Sequence, residues 1–253
     1  MNWFRGEWTL LDRENIESAI DESLKRLQTD YIDLYQLHWP DRRMSMFGSD
    51  GLGYKHYDAE TVPIVETLKV LSDLVKSGKI RYVGLSNETP WGLSEFLKYS
   101  ELLDLPRVVS VQNAYNFLNR TYELGMSEFH HRSQVGLLAY SPLAQGYLTG
   151  KYIDGARPKG ARTTLFERGD RYEVPGANEA VKSYVNYAKS IGMDPSVMAN
   201  SFVNSRDFVT SNIIGATTME QLKLAVGSID VNLSEEDLEQ ISLIHRNNPN
   251  ICP

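Results

Sequence analysis

The sequence predicts an α/β protein built on parallel strands, and three observations carry that expectation. Short apolar runs alternate with amphipathic helical stretches along almost the whole chain, as parallel strands joined by helical crossovers require. No linker or low-complexity tract interrupts the 253 residues, so they read as a single domain over 1–253. The strands also end in polar residues, and a closed barrel of parallel strands gathers such ends on one rim.

Asp12 caps a first helix, with Glu14 in its first turn and Ile16, Ala19, Ile20, Ser23, Leu24 and Leu27 along one face. Tyr31 to His38 is then a strand, stopped by Trp39-Pro40. The loop from Asp41 to Val62 carries Arg42, Met44, Met46, Phe47, Tyr54 and Tyr57 and offers material for a substrate pocket. Pro63 suits the first position of a second helix, with Ile64, Leu68, Leu71, Leu74 and Val75 as its apolar stripe and Gly78 past its end.

The unit then repeats. Ile80 to Ser86 is a strand, and Thr89-Pro90 opens a helix running to about Leu103. Val108 to Asn113 is a strand, followed by a helix from about Arg120 to His131. Gly136 to Ser141 is a strand, followed by a long polar stretch from Gln145 to about Asn178. One helix ends near Gly192, the next starts at Asp194-Pro195, and Asn212 to Ala216 is the last strand. Helices then start at Thr218 and at Ser234, where Asp237 completes a capping box. About five strands are visible where a closed barrel needs eight. An open, doubly wound sheet is the alternative, although no G-x-G-x-x-G turn follows a strand.

The strand ends are His38, Ser86-Asn87, Gln112-Asn113, Tyr140-Ser141 and Gly215-Ala216 followed by Thr217-Thr218. Each alone serves as a turn former or helix cap. Five together favour a site. The formal charge of −7 speaks against nucleic acid or an anionic membrane as partner, because phosphate attraction needs a basic field. Cys252 is the single cysteine, so no internal disulfide forms and a reducing compartment fits. No stretch approaches the ~18–20 apolar residues of a membrane span, and the N-terminus lacks a signal-peptide pattern, so a cytoplasmic protein is expected. His56, His130, His131 and His245 lack metal-ligand spacing and read as solvated; no metal is implied.

The segments Asp33–Pro40 (DLYQLHWP), Gly78–Thr89 (GKIRYVGLSNET), Val109–Asn116 (VSVQNAYN), Leu137–Tyr152 (LLAYSPLAQGYLTGKY) and Ile213–Leu222 (IIGATTMEQL) resemble, in consecutive order, the aldo-keto reductases, and their Tas-like branch in particular. The likeness runs from about Asp12 to the C-terminus. It implies a (β/α)8 TIM barrel that reduces a small aldehyde or ketone with NADP(H), using a tetrad of Tyr, Lys, His and Asp. By resemblance His38 is the tetrad histidine, which orients and polarises the substrate carbonyl; the other reading is a buried histidine bonded to a backbone carbonyl. Ser86, Asn87 and Gln112 match residues that hold the nicotinamide carboxamide, and Tyr140 matches the aromatic on which the nicotinamide stacks. Ser141, Leu143, Gln145, Gly146, Leu148 and Lys151 fall in the family's pyrophosphate loop. Gly215, Ala216, Thr217 and Gln221 match the stretch that grips the adenosine 2′-phosphate. Many relatives carry a basic residue at the positions of Gly215 or Gln221, which this chain does not.

Nothing ahead of Asp12 stands in for the tetrad Asp, Tyr and Lys, which the family carries on its first strands. Tyr31 and Tyr35 share the strand of His38, where alternation points them elsewhere. The expectation is therefore an incomplete, N-terminally truncated barrel lacking about its first three strands, with open edges and impaired reduction. A non-catalytic cofactor-binding or regulatory barrel, or a fragment without function, are the alternatives.

Overall fold

The computed structural model describes residues 10–42, 61–167 and 169–253. Among them five strands alternate with helices, and every recorded strand pairing is parallel, which places the protein in the α/β class. The chain divides into two compact units: described residues 10–42, 61–112 and 133–136 form the first, and 113–132, 137–167 and 169–253 the second.

The first unit begins with α1 (Arg13–Leu27), whose N-cap Asp12 accepts a hydrogen bond from the Asn15 amide at 2.9 Å. Strand β1 (Ile32–Leu37) follows, then α2 (Ile64–Lys76), β2 (Ile80–Ser86), α3 (Pro90–Leu103) and β3 (Val108–Ala114). Strand β2 pairs with β1 on one side and β3 on the other. Pro63 stands one residue outside α2 as its N-cap rather than at the first helical position, because its ψ of 136° is not helical. Thr89 caps α3 through its hydroxyl, and Pro90 opens the helix. Ile16 and Ile20 of α1, Leu68, Leu71 and Leu74 of α2, and Leu93 and Phe96 of α3 are buried with Leu37, Val83, Leu85 and Val111 of the strands. This apolar layer is what the helical and strand periodicities encode.

In the second unit a 3₁₀ turn (Thr121–Leu124) and α4 (Met126–Ser133) replace the continuous helix expected from Arg120 to His131. The break falls at Gly125, a residue that costs entropy inside a helix. Strand β4 (Gly136–Tyr140) pairs in parallel with β5 (Val209–Ile213). The sequence placed that last strand at Asn212 to Ala216. The ladder instead stops where Ile213 meets Tyr140, leaving residues 214–217 as a loop past the strand end.

The stretch expected to be merely polar contains two short 3₁₀ segments (Ala144–Thr149 and Ile153–Gly155) and α5 (Arg162–Phe166). Three buried tyrosines hold it down: Tyr147 lies 4.6 Å from the Tyr152 ring and 5.7 Å from the Tyr172 ring. Helices α6 (Ala177–Ser190), α7 (Pro195–Asn204), α8 (Met219–Gly227) and α9 (Glu235–Asn247) complete the unit. Asp194 caps α7, and Ser234 with Asp237 forms the expected capping box on α9. An aromatic cluster of Tyr115, Phe117, Tyr184, Phe202 and Phe208 is the core, with Phe117 and Tyr184 stacked at 4.4 Å. Helix α8 is different. It buries none of its residues, and Met219, Val226 and the following Ile229 are each at least 60% exposed. Among the described residues, β5 has a strand partner on one edge only.

Candidate functional site

In the first unit the C-terminal ends of β1, β2 and β3 are tied together by the predicted residues. Asn87 takes a left-handed conformation (φ +55°), which asparagine tolerates better than most side chains. That turn brings its amide N–H to the Gln112 carbonyl at 3.0 Å and its side-chain amide to the His38 carbonyl at 2.9 Å. The Ser86 hydroxyl donates to the Gln112 carbonyl at 2.7 Å and accepts from Asn87 at 3.2 Å. Ser86 and Asn87 are both buried, so this junction is a rigid platform rather than a surface turn.

The Gln112 side chain accepts from Gln36 at 3.1 Å. Gln36 Oε1 and Ser110 Oγ are buried without a hydrogen-bond partner beside it. Gly84 separates them: a Cβ there would lie 2.9 Å from Gln36 Cγ and 3.0 Å from Ser110 Oγ. Two orphaned polar groups beside Gln112 carry a desolvation cost that a polar ligand would relieve.

His38 follows β1 immediately and is exposed, yet the surrounding protein desolvates it enough to lower its pKa from the ordinary 6.5. At neutral pH the imidazole is therefore uncharged, with one nitrogen able to donate a hydrogen bond. The chain beyond it is pinned by Arg42, which bonds the buried Glu88 carboxylate and the Thr89 hydroxyl (3.1 Å) and lies 4.9 Å from the Trp91 ring. Burial raises the pKa of Asp41 against the pull of backbone N–H groups, Val62 donating to it at 2.9 Å. A cavity of about 110 Å³ lies here, with Trp39, Arg42, Glu88 and Trp91 in its wall. Most of the loop expected to line a substrate pocket, from Met44 to Tyr57, lies outside the described residues.

In the second unit, Tyr140 ends β4 and the chain turns sharply. Ser141, Ala144, Gln145 and Gly146 all have left-handed φ, between +47° and +98°. The Ser141 carbonyl accepts from the Ala144 amide at 2.8 Å and from the Asn116 side chain at 3.0 Å; the Leu143 carbonyl accepts from Gly146 at 2.8 Å and Leu148 at 3.2 Å. Leu148 is buried and anchors the loop, a packing role. Lys151 folds back across Gly146, so a Cβ at Gly146 would sit 2.8 Å from its Cε and 2.9 Å from its Nζ. The glycine thus makes the space that the ammonium group occupies. A cation held over a tight run of backbone is the arrangement a phosphate needs.

Gly215, Ala216 and Thr217 lie exposed in the loop after β5. The Gln221 side chain accepts from the Thr217 amide at 2.9 Å and hydroxyl at 3.1 Å, while Thr218 caps α8. These residues form one local cluster. Gly215 faces open space, and no basic side chain stands among residues 215–221.

Sequence reasoning missed several supports. Asn116 is fully buried and its side chain also accepts from the Leu118 and Asn119 amides. Arg171, in the stretch read only as polar, has its guanidinium 5.5 Å from the centre of the Tyr140 ring. Burial raises the Tyr140 pKa, and Arg171 opposes that rise. His130 and His245 are half-buried rather than solvated, each with a buried Nδ1.

A family model described as Aldo/keto reductase family matches residues 6–246. Protein tas of Escherichia coli (strain K12) is 48% identical over 237 residues, which is 93% of this chain and 68% of that protein. An aldo-keto reductase of Babesia bovis is 37% identical over 269 residues, covering 100% of this chain and 94% of its own length. The L-glyceraldehyde 3-phosphate reductase of Escherichia coli (strain K12) is 30% identical over 240 residues, 90% of this chain and 62% of that protein.

Proposed function

The chain belongs to the aldo/keto reductase family, and from that membership we propose that it binds NADP(H) and acts on a small aldehyde or ketone. The five strands then belong to the family's (β/α)8 barrel, and the residues of each unit take the roles that the family likeness implies.

The Lys151–Gly146 arrangement supports the reading most directly, because it suits a diphosphate: a cation lying over tight backbone, in the space a Cβ at Gly146 would take. Gln36 Oε1, buried and unpartnered beside Gln112, suits the N–H donor of a carboxamide. The nicotinamide supplies a transferable hydride when bound. Everything else is left to the protein. Ser86, Asn87 and Gln112 orient the carboxamide, Tyr140 carries the ring, and Lys151 compensates phosphate charge. Thr217 and Gln221 reach the adenosine end with neutral donors, which predicts only a modest preference for NADP(H) over NAD(H).

His38, uncharged at neutral pH, donates a hydrogen bond to the carbonyl oxygen and stabilises the negative charge that develops there. It is the one tetrad member that the likeness assigns within these residues. The single buried thiol of Cys252 fits work in the cytoplasm.

Aldehyde-dependent loss of NADPH absorbance tests the reading, beside a His38→Ala variant. Turnover that falls about tenfold in the variant agrees with it. Turnover that is unchanged in the variant would remove His38 from the mechanism.

A further inference from the structure

We infer that Arg171 is a positioning residue for Tyr140, and that residues 250–253 hold Arg171 in place to do so. The inference rests on Tyr140 being the aromatic platform for the nicotinamide. Its structural basis lies wholly within the second unit. Arg171 uses its planar fork in two directions: Nε donates to the Pro253 carbonyl at 2.7 Å, and a terminal nitrogen donates to the Tyr140 hydroxyl at 3.4 Å. The guanidinium also lies 5.5 Å from the Tyr140 ring centre and 5.7 Å from that of Tyr172.

The residues around Pro253 are themselves fixed. The Cys252 amide donates to the Leu118 carbonyl at 3.1 Å, and Cys252 is 1% exposed. Asn250 accepts from the Arg120 amide at 2.7 Å, and Gly176 leaves room for the Ile251 side chain. Each bond ties this segment to loops just after β3 or just before α6. Tyr140, at the end of β4, gains a second anchor beyond its backbone: its carbonyl accepts from the Tyr115 amide at 3.3 Å, and its hydroxyl is met by a guanidinium locked from the other side. A tyrosine whose ring is held at both ends presents one face to a stacking partner without first losing rotamer freedom. Lysine has three donors on one rotating ammonium but no planar fork, so it reproduces neither the fixed geometry of the two bonds nor the guanidinium face over the two rings, and charge alone does not restore the effect.

The test is NADPH fluorescence titration of the wild type, Arg171→Ala, Arg171→Lys, Tyr140→Leu and the Arg171→Ala/Tyr140→Leu double variant, with thermal midpoints to confirm folding. Loss of a weak hydrogen bond and a cation–π contact predicts that Arg171→Ala raises Kd about fivefold when Tyr140 is present. The same change raises it less than about twofold when Tyr140 is Leu. Arg171→Lys should behave like Arg171→Ala. Asn250→Ala removes the acceptor of the Arg120 amide and loosens the segment that holds Arg171; it should raise Kd at least about twofold, again only with Tyr140 present.

An equal factor in both Tyr140 backgrounds would overturn the inference, since Arg171 would then act elsewhere, as would full rescue by lysine. Tyr140→Leu binding as tightly as wild type would overturn the platform role on which the inference stands. No saturable binding by the wild type would overturn the proposed function and this inference together.

Discussion

Replacing Gly146 by alanine probes the proposed phosphate role of the loop that Lys151 crosses. Two costs follow from the structure. The residue has φ +98°, beyond the comfortable left-handed region of an L-amino acid, so the backbone cost is about 1–3 kcal/mol. The new Cβ would also lie 2.8 Å from Lys151 Cε and 2.9 Å from Nζ, so the lysine head must leave its place. Gly155→Ala is the natural comparison, because that residue has φ +76° and open space around it. Both variants should lose thermal stability, by about 2–12 °C for a chain of this size. Only Gly146→Ala should weaken NADPH, by about tenfold, the loss of one partly exposed charge-assisted contact. That difference should shrink at about 1 M salt, where exposed charges are screened within about 3 Å. Fluorescence titration beside a melting curve reads all of these. Equal loss of affinity in the two variants, or none in Gly146→Ala, would refute the role given to Lys151.

Glu88→Ala leaves the Arg42 guanidinium without its buried carboxylate and the Thr89 amide without its 2.6 Å acceptor. Arg42 can regain some water, so the expected loss is about 2–3 kcal/mol in urea unfolding, with Glu88→Gln losing roughly half as much. Stability should also depend on His38 and His245, whose pKa values are lowered by burial in the folded state. The unfolded chain then takes up protons first, so stability is full above the ordinary 6.5 and declines as pH falls below it. Melting curves from pH 7.5 to 5 should show that decline, and His245→Asn should make it shallower. Val226→Lys on α8 should change unfolding free energy by less than about 0.5 kcal/mol, because Val226 is 60% exposed.

Local chemistry explains which elements were legible in the sequence. Asp12, Thr89-Pro90, Asp194-Pro195 and the Ser234/Asp237 box each satisfy helix-end amides with their own side chains, so their positions follow from residue type. Strand β5 did not follow, because Ile213 and Ile214 look alike as apolar residues and only pairing with β4 decides where the ladder stops. The stretch after Gln145 looked polar because its anchors are tyrosines, whose rings pack while their hydroxyls bond; Tyr147 donates to Glu173 at 2.7 Å.

The site divides in the same way. Ser86, Asn87, Gln112 and the residues around Lys151 were visible as polar groups at strand ends and through family likeness. Arg171 and Asn116 were not. Their importance comes from partners 31 and 25 residues away in sequence, Tyr140 and Ser141, which only the folded chain brings together. Gln36 was read as a strand residue and turned out to carry an orphaned acceptor, a property that exists only once Gly84 and Gln112 surround it.

The central proposal is that this chain binds NADP(H), with Lys151 compensating phosphate charge. Calorimetric titration of the purified chain with NADPH tests it most directly. The account predicts one saturable site per chain, weakened by salt and by Lys151→Met. Absence of saturable heat at any workable NADPH concentration, from a chain that melts cooperatively, would contradict it.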